Sequence, residues 1–266
     1  IELGDVSADA NPAPTWNEQG WIPCRLRLCD LRDLASAVAR SRRLLDLDAD
    51  APAVDEFLGS DHALASSVRS SPGRRVPGHV DGFELAARAV LGQQVSVAGA
   101  RTLAGRLSLA YGLPLPIADL SLTQLFPTAA AIAEADPAEL ALPRARGTAL
   151  VGLARAVADG ELCLDPGSDR DDAVARMLAL PGIGPWTASY VAMRALGDPD
   201  VFMPSDLGVR HGMRALGLPS DVRSADEVAR NWRPWRSYAL QHVWAATANP
   251  AASTVALVGE SGKTID

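Results

Sequence analysis

Lysine is nearly missing from this sequence: Lys263 is the only one in 266 residues, and Arg carries the rest of the basic charge. Chemistry that needs a side-chain amine, such as a Schiff base, is thereby confined to position 263. Cysteine is scarce as well. Cys24, Cys29 and Cys163 are odd in number and lack CxxC spacing, which argues against a disulfide framework and a four-thiolate zinc or iron-sulfur site and leaves reduced, structural thiols as the expectation. His62, His79, His211 and His242 have no metal-ligand spacing, so each is expected at the surface or satisfied in the core, and no cofactor is expected. No run approaches the ~18 to 20 consecutive apolar residues of a membrane span. No signal-peptide pattern opens the chain either, so a cytoplasmic protein without a membrane partner is expected. Position 1 is not Met, and Ile1-Glu2-Leu3 already reads as a strand, which suggests a piece of something longer.

Basic charge is also in deficit, with a formal net charge of −7 and a pI of 5.1. That speaks against a broadly basic nucleic-acid grip. The deficit is local, however. Residues 1–60 hold eleven acids against six Arg, net −5, whereas residues 201–250 hold six Arg (Arg210, Arg214, Arg223, Arg230, Arg233 and Arg236) against four acids, net +2.

What remains is an ordinary globular composition, 48% hydrophobic, with room for one large domain or two modest ones. After Pro23 the segment Cys24-Arg25-Leu26-Arg27-Leu28 alternates apolar and polar residues, which suits a half-buried strand paired with the one at Ile1. The Ala10-Asn11-Pro12-Ala13-Pro14 stretch between them is expected to be irregular or disordered. From Asp30 onward the pattern reads as helical. Asp30 is placed to cap a helix carrying Leu31, Leu34, Val38 and Leu45, and Asp81 one carrying Phe83, Ala86, Ala87 and Val90. Further helices are expected near 82–97, 98–111, 127–134, 137–141, 145–158, 170–178, 185–197, 206–215, 225–231 and 234–247. Ser71 to Gly78, with Pro72, Gly73 and Pro77, reads as a linker. Arg40-Ser41-Arg42-Arg43 reads as a solvated helix face, and the stretch 251–266 as a flexible tail.

The most informative segment is Leu180-Pro181-Gly182-Ile183-Gly184-Pro185-Trp186-Thr187-Ala188, which closes one apolar helical pattern and opens another. Gly182 and Gly184 let the backbone turn tightly and approach a ligand, and Pro185 suits the first turn of the next helix. Amides at that helix start can face a phosphate without any Lys or Arg. Taken alone, a Gly-x-Gly reads first as a turn between packed helices. Asp206 widens the context: it ends the extended entry Val201-Phe202-Met203-Pro204-Ser205, 22 residues after Gly184. It suits an ordinary helix N-cap. It also suits a reaction in which a sugar gains positive charge, because a helix N-terminus favours the ionised carboxylate.

With these segments, Val90-Leu91-Gly92-Gln93-Gln94-Val95-Ser96 and Trp232-Arg233-Pro234-Trp235-Arg236-Ser237-Tyr238-Ala239, the chain over about residues 20–250 resembles the helix-hairpin-helix DNA glycosylase superfamily, and most closely its 3-methyladenine DNA glycosylase II branch. The resemblance implies a mainly α fold, with a helix-hairpin-helix glycosylase core at 78–250 behind a small α+β subdomain and linker at 1–77 that is read as incomplete. It implies that Asp206 is the catalytic carboxylate and that Trp186, Tyr190, Trp244 and Leu207 line the pocket for a flipped base. Gln94 occupies the position of the wedge that fills the vacated stack, and Gly182, Gly184, Pro185 and Thr187 are implied to hold phosphate. Backbone carbonyls of Leu178, Leu180 and Gly182 are implied to take a monovalent cation. Two positions depart from the family pattern: Gln94 stands where an apolar wedge is common, and Leu207 where an aromatic is common.

Each aromatic also has a structural reading. Trp186 and Tyr190 are spaced i and i+4 on one helical face, Trp232 and Trp235 read as core, and Trp244 is balanced between pocket and core. The resulting expectation is a monofunctional glycosylase without lyase activity, working as a monomer on double-stranded DNA that contains alkylated bases, with fusion to an upstream alkylation-response module as a further possibility. The alternatives are a glycosylase for oxidised or mismatched bases and a non-catalytic helix-hairpin-helix DNA-binding module.

Overall fold

Most helices of this chain begin at an acidic or hydroxyl side chain that accepts a bond from an amide in the first turn. A computed structural model describes residues 2–3, 24–119 and 122–247. In it Asp50 accepts from Ala53 N, Asp81 from Glu84 N at 2.7 Å, Ser96 from Gly99 N and Asp221 from Ser224 N, whereas Asp30 accepts from Arg32 N in a short 3-10 turn, Leu31–Asp33, ahead of the first α-helix. Each such cap contributes about 1 kcal/mol by satisfying an amide that has no intrahelical partner.

In chain order the elements are β1 (Glu2–Leu3), β2 (Cys24–Arg25), α1 (Leu34–Leu44), α2 (Ala51–Gly59), α3 (Ala65–Ser70), α4 (Gly82–Leu91), α5 (Val97–Tyr111), β3 (Pro114–Asp119), β4 (Leu122–Gln124), α6 (Ala129–Ala133), α7 (Arg144–Ala158), α8 (Arg170–Ala179), α9 (Pro185–Arg194), α10 (Leu207–Ala215), α11 (Val222–Ala229) and α12 (Arg236–Ala246). The mainly helical expectation holds, and β1 pairs antiparallel with β2, Leu3 opposite Cys24. The stretches at 10–14 and 251–266 lie outside the described residues.

Several local expectations change. The helix expected over 82–97 stops at Leu91, and a turn separates it from α5. Gln94 in that turn has a left-handed φ of 57°, which a helix cannot absorb. No helix forms at 137–141, where Ala141 is left-handed and the buried Leu140 points inward from a turn. The β3–β4 hairpin falls in a region read as helical throughout, its strand signal masked by Pro114 and Pro116. The Ser71–Gly78 segment is pinned rather than loose: Gly73 N donates to Asp55, Val76 N to Asp46, and the Arg75 guanidinium to the carbonyls of Asp46 and Ala49. The Arg40–Arg43 face is only partly solvated, since Ser41 is buried and Arg43 Nε donates to the His79 carbonyl.

The described residues pack into two apolar cores that meet at α9. One gathers α4, α6 and α7 with Ala188 and Val191 of α9. The other gathers α2, α3, α10 and α12 with Ala192 and Met193 of the same helix. Tyr190 lies between, packed against both. Trp232 fills the second core, fully buried, edge-on to Phe202, with its indole N–H donated to Asp61 at 3.1 Å. It is a core residue, as the sequence suggests. Trp235 is half-buried against the same core.

His242 is buried in that core, where its Nδ1 meets Ser67 Oγ at 2.9 Å. Burial first, and then the charge of Arg74, pushes its pKa down from 6.5 to about 4. The unfolded chain therefore takes up the proton first. The stability this residue contributes is complete above about pH 6.5 and is lost as pH falls toward 4. Denaturant unfolding is expected to show a loss of about 2 kcal/mol from this group between pH 7 and pH 5. His242→Asn should remove that part of the slope, and an unchanged slope would mean that other groups carry it.

Candidate active site

Two helices and a five-residue connection form the base of the site. Asp169 caps α8, accepting from the amides of Asp171 and Asp172, and α8 ends at Ala179 with Leu180 as its C-cap. The chain then turns through Pro181 to Gly184 into α9. Gly182 has a φ of 85°, and a Cβ there would come within 2.7 Å of the Ala149 Cβ on α7, so two independent constraints require glycine. Gly184 is different. Its φ is −97° and nothing in the protein lies near its missing Cβ, so no contact within the protein requires glycine there. No side chain caps α9, which leaves its first amides free to meet an anion. Thr187 is buried, and its Oγ1 accepts from Gln93 Nε2 at 3.1 Å. Only its backbone amide is left for a phosphate. Of the three carbonyls considered for a cation, that of Leu180 accepts from Ile183 N and that of Gly182 from Gln93 Nε2. Each keeps a second lone pair.

Asp206 is delivered by the buried entry Val201-Phe202-Met203 to the N-cap of α10. Its Oδ1 accepts from Val209 N at 2.9 Å and from Trp244 Nε1 at 3.0 Å. Its Oδ2 accepts from Trp186 Nε1 at 2.9 Å. Both tryptophans expected beside a base thus turn their polar edge to the same carboxylate. Asp206 is thus the N-cap of α10 through Oδ1, and each of its oxygens also meets one indole N–H. Trp186 stacks on Tyr190, ring centres 5.3 Å apart and 6° from parallel, and the Arg194 guanidinium lies 5.8 Å from the centre of the Tyr190 ring. The helix start with its free amides and the carboxylate are thus joined through Trp186, the second residue of α9.

Residues 87–237 match the family model described as the HhH-GPD superfamily base excision DNA repair protein, and residues 5–81 that of the AlkA N-terminal domain. The chain belongs to the HhH-GPD superfamily. This HhH-GPD protein is 50% identical over 250 residues to the "Probable bifunctional transcriptional activator/DNA repair enzyme AlkA" of Mycobacterium tuberculosis, a match that covers 94% of this chain and 49% of the relative. The chain therefore spans about half the length of that relative. It is 38% identical to "DNA-3-methyladenine glycosylase 2" of Escherichia coli, over 79% of this chain and 71% of the relative. The solved structure "3-methyladenine dna-glycosylase from Archaeoglobus fulgidus" shares its fold, with a TM-score of 0.69 at 23% identity over 83% of this chain and 77% of that one.

Of the other expected site residues, Leu207 is 62% exposed beside Asp206, and Gln94 is exposed in its left-handed turn. Two further groups matter that sequence reasoning passed over. One is Gln93, bonded to the hairpin. The other is the pair Gly208 and Gly212, one turn apart on the face of α10 that meets α12. A Cβ at Gly212 would fall on the Val243 carbonyl, and one at Gly208 would lie 3.0 Å from Asp206 Oδ1 and 3.2 Å from Trp244 Nε1. Their i, i+4 spacing was the available signal. The bare seam brings the α12 backbone close enough for Trp244 to reach the carboxylate.

Gly208→Ala is therefore expected to push Trp244 off Asp206. In a 15N-labelled chain the indole N–H resonance of Trp244 should move upfield, while that of Trp186, bonded to the other oxygen, stays in place. An unshifted Trp244 signal would mean that α10 yields without disturbing the pair.

Proposed function

We propose that this HhH-GPD protein is a monofunctional DNA glycosylase that hydrolyses the N-glycosidic bond of alkylated bases of the 3-methyladenine type in base excision repair. The observation that carries this reading is the Asp206 carboxylate, held on both oxygens by N–H donors beside a helix start with free amides. A non-catalytic DNA binder could keep the same carboxylate as a helix cap, so excision lost in Asp206→Asn is what separates the two readings.

In the proposed reaction the backbone N–H groups of Gly184 and Thr187 hold a phosphate, Pro185 opening the helix between them without an N–H of its own, and Gln94 enters the stack where the base has left it. Extruding a base costs a few kcal/mol and least where alkylation has weakened pairing, which supplies part of the selectivity. One face of Trp186 is taken by Tyr190. A base stacked on the other side, with Trp244 and Leu207 nearby, would present its sugar to Asp206. An electron-rich aromatic wall attracts a cationic alkylated base. The N-glycosidic bond then breaks with its electron pair going to the base, which leaves neutral. The carboxylate stabilises the positive charge that develops on the sugar. Water adds to the anomeric carbon and gives its proton to Asp206. A monovalent cation on the carbonyls of Leu178, Leu180 and Gly182 would add positive charge under the phosphate.

Asp206→Asn is expected to keep duplex binding and to lower excision by orders of magnitude, since losing the charge opposite the sugar raises the barrier by several kcal/mol. Release of 3-methyladenine, 7-methylguanine, hypoxanthine and 8-oxoguanine from labelled duplexes, with a melting curve for the variant, measures this. Unchanged excision would remove Asp206 from the mechanism, and preferential 8-oxoguanine release would move the enzyme to another substrate class.

Strand cleavage is not expected. Relatives that cut the strand use a lysine amine at the hairpin, and that place holds Trp186 here. Borohydride reduction during turnover should trap no covalent protein-DNA adduct. A stoichiometric adduct that survives Lys263→Ala and blocking of the N-terminal amine would overturn the monofunctional reading.

A further inference from the structure

Gln93 ties the turn after α4 to the hairpin. Its side-chain amide donates to the Gly182 carbonyl at 3.1 Å and to Thr187 Oγ1 at 3.1 Å, one bond on each side of the bend. Because Thr187 is buried, losing the donor would leave a buried hydroxyl unsatisfied. From behind, Arg146 in the first turn of α7 donates to the Gln93 backbone carbonyl at 2.6 Å. The same part of α7 meets the hairpin directly, where Gly182 lies against Ala149. The turn, the hairpin and the start of α7 therefore close a triangle with Gln93 at one corner.

The next residue, Gln94, has a φ of 57° and an exposed side chain. A non-glycine residue in the left-handed region costs roughly 1 to 2 kcal/mol and persists where its surroundings over-determine it. Here both flanks are fixed. Gln93 is held on the N-terminal side, and Ser96, capping α5 through Gly99 N at 3.1 Å, anchors the C-terminal side.

We infer that Gln93 is a positioning residue that makes the phosphate-holding hairpin and the Gln94 turn one rigid unit, so that gripping the backbone fixes where Gln94 enters the stack. The inference rests on the glycosylase reading above. Without Gln93 the turn must be ordered anew whenever a base is extruded. The loss falls on extrusion and leaves the hairpin's hold on an intact duplex in place. It should also scale with the stack that must be held open: large for a lesion paired with an intact base, small for the same lesion opposite an abasic site. A general structural defect would lower both alike.

The test uses the full chain and Gln93→Met, which keeps the side-chain length and removes the donors, with Gln93→Ala as a second variant. Single-turnover excision of 7-methylguanine is measured opposite cytosine and opposite an abasic site, alongside binding to intact duplex and to a duplex with an abasic-site analogue. Both variants are expected to lose about tenfold in excision from the paired lesion and in binding to the analogue, as follows from one or two hydrogen bonds. Melting should fall by a few degrees in both variants, because the buried Thr187 hydroxyl loses its donor, while at a temperature where the variants are fully folded excision opposite the abasic site and binding to intact duplex should stay within about twofold. Equal loss on both substrates, or no loss on either, overturns the inference. If the wild-type chain releases no base, the glycosylase reading falls instead, and the ratio of analogue to intact-duplex binding alone decides the role of Gln93.

Discussion

Three helices of this protein are arranged so that two indole N–H groups and one backbone amide reach a single carboxylate. Trp186 from α9, Trp244 from α12 and Val209 N from α10 all donate to Asp206. Hydrogen bonds tolerate only a few tenths of an ångström of error, so this convergence constrains the rest of the core. It requires the bare glycine seam between α10 and α12, and it places α9 where both apolar cores must share it. Packing fixes the three helix axes, and the polar contacts select one side-chain arrangement from those the packing allows.

The proposed phosphate site at the hairpin raises a separate constraint, how an acidic chain holds an anion. A phosphate held by backbone amides at a helix start needs no lysine, and the fold keeps those amides free by leaving α9 uncapped. The glycines divide this work. Gly182 is demanded by the protein, through its backbone angle and its contact with α7, whereas Gly184 is demanded by nothing inside it. The net charge of −7 is therefore compatible with the local hold on phosphate proposed above.

Strain and support lie next to each other in the turn between α4 and α5. Gln94 occupies an unfavourable conformation, and the residue before it makes the bonds that hold the conformation in place. In the wedge role proposed for it, Gln94 would gain from being fixed beforehand, because ordering it at the moment of binding would subtract from the affinity.

The sequence by itself determined the features that depend on neighbours in the chain. Asp81 caps its helix because a carboxylate reaches an amide three residues on, and Gly182 and Pro185 mark the hairpin because their backbone preferences are local. Asp206 could be singled out for the same reason, as a carboxylate at a helix start after an apolar entry. Local pattern failed where local signals conflicted, as at the β3–β4 hairpin with its prolines and at the turn that splits 82–97. Only the tertiary structure decided that Trp186 and Trp244 point their N–H groups at Asp206, that Gln93 holds the hairpin, and that Ser71–Gly78 is pinned by Asp46 and Asp55. Those partners are brought together across 18 to 94 positions, and no periodicity in the chain records which distant group a side chain meets once its helix has packed.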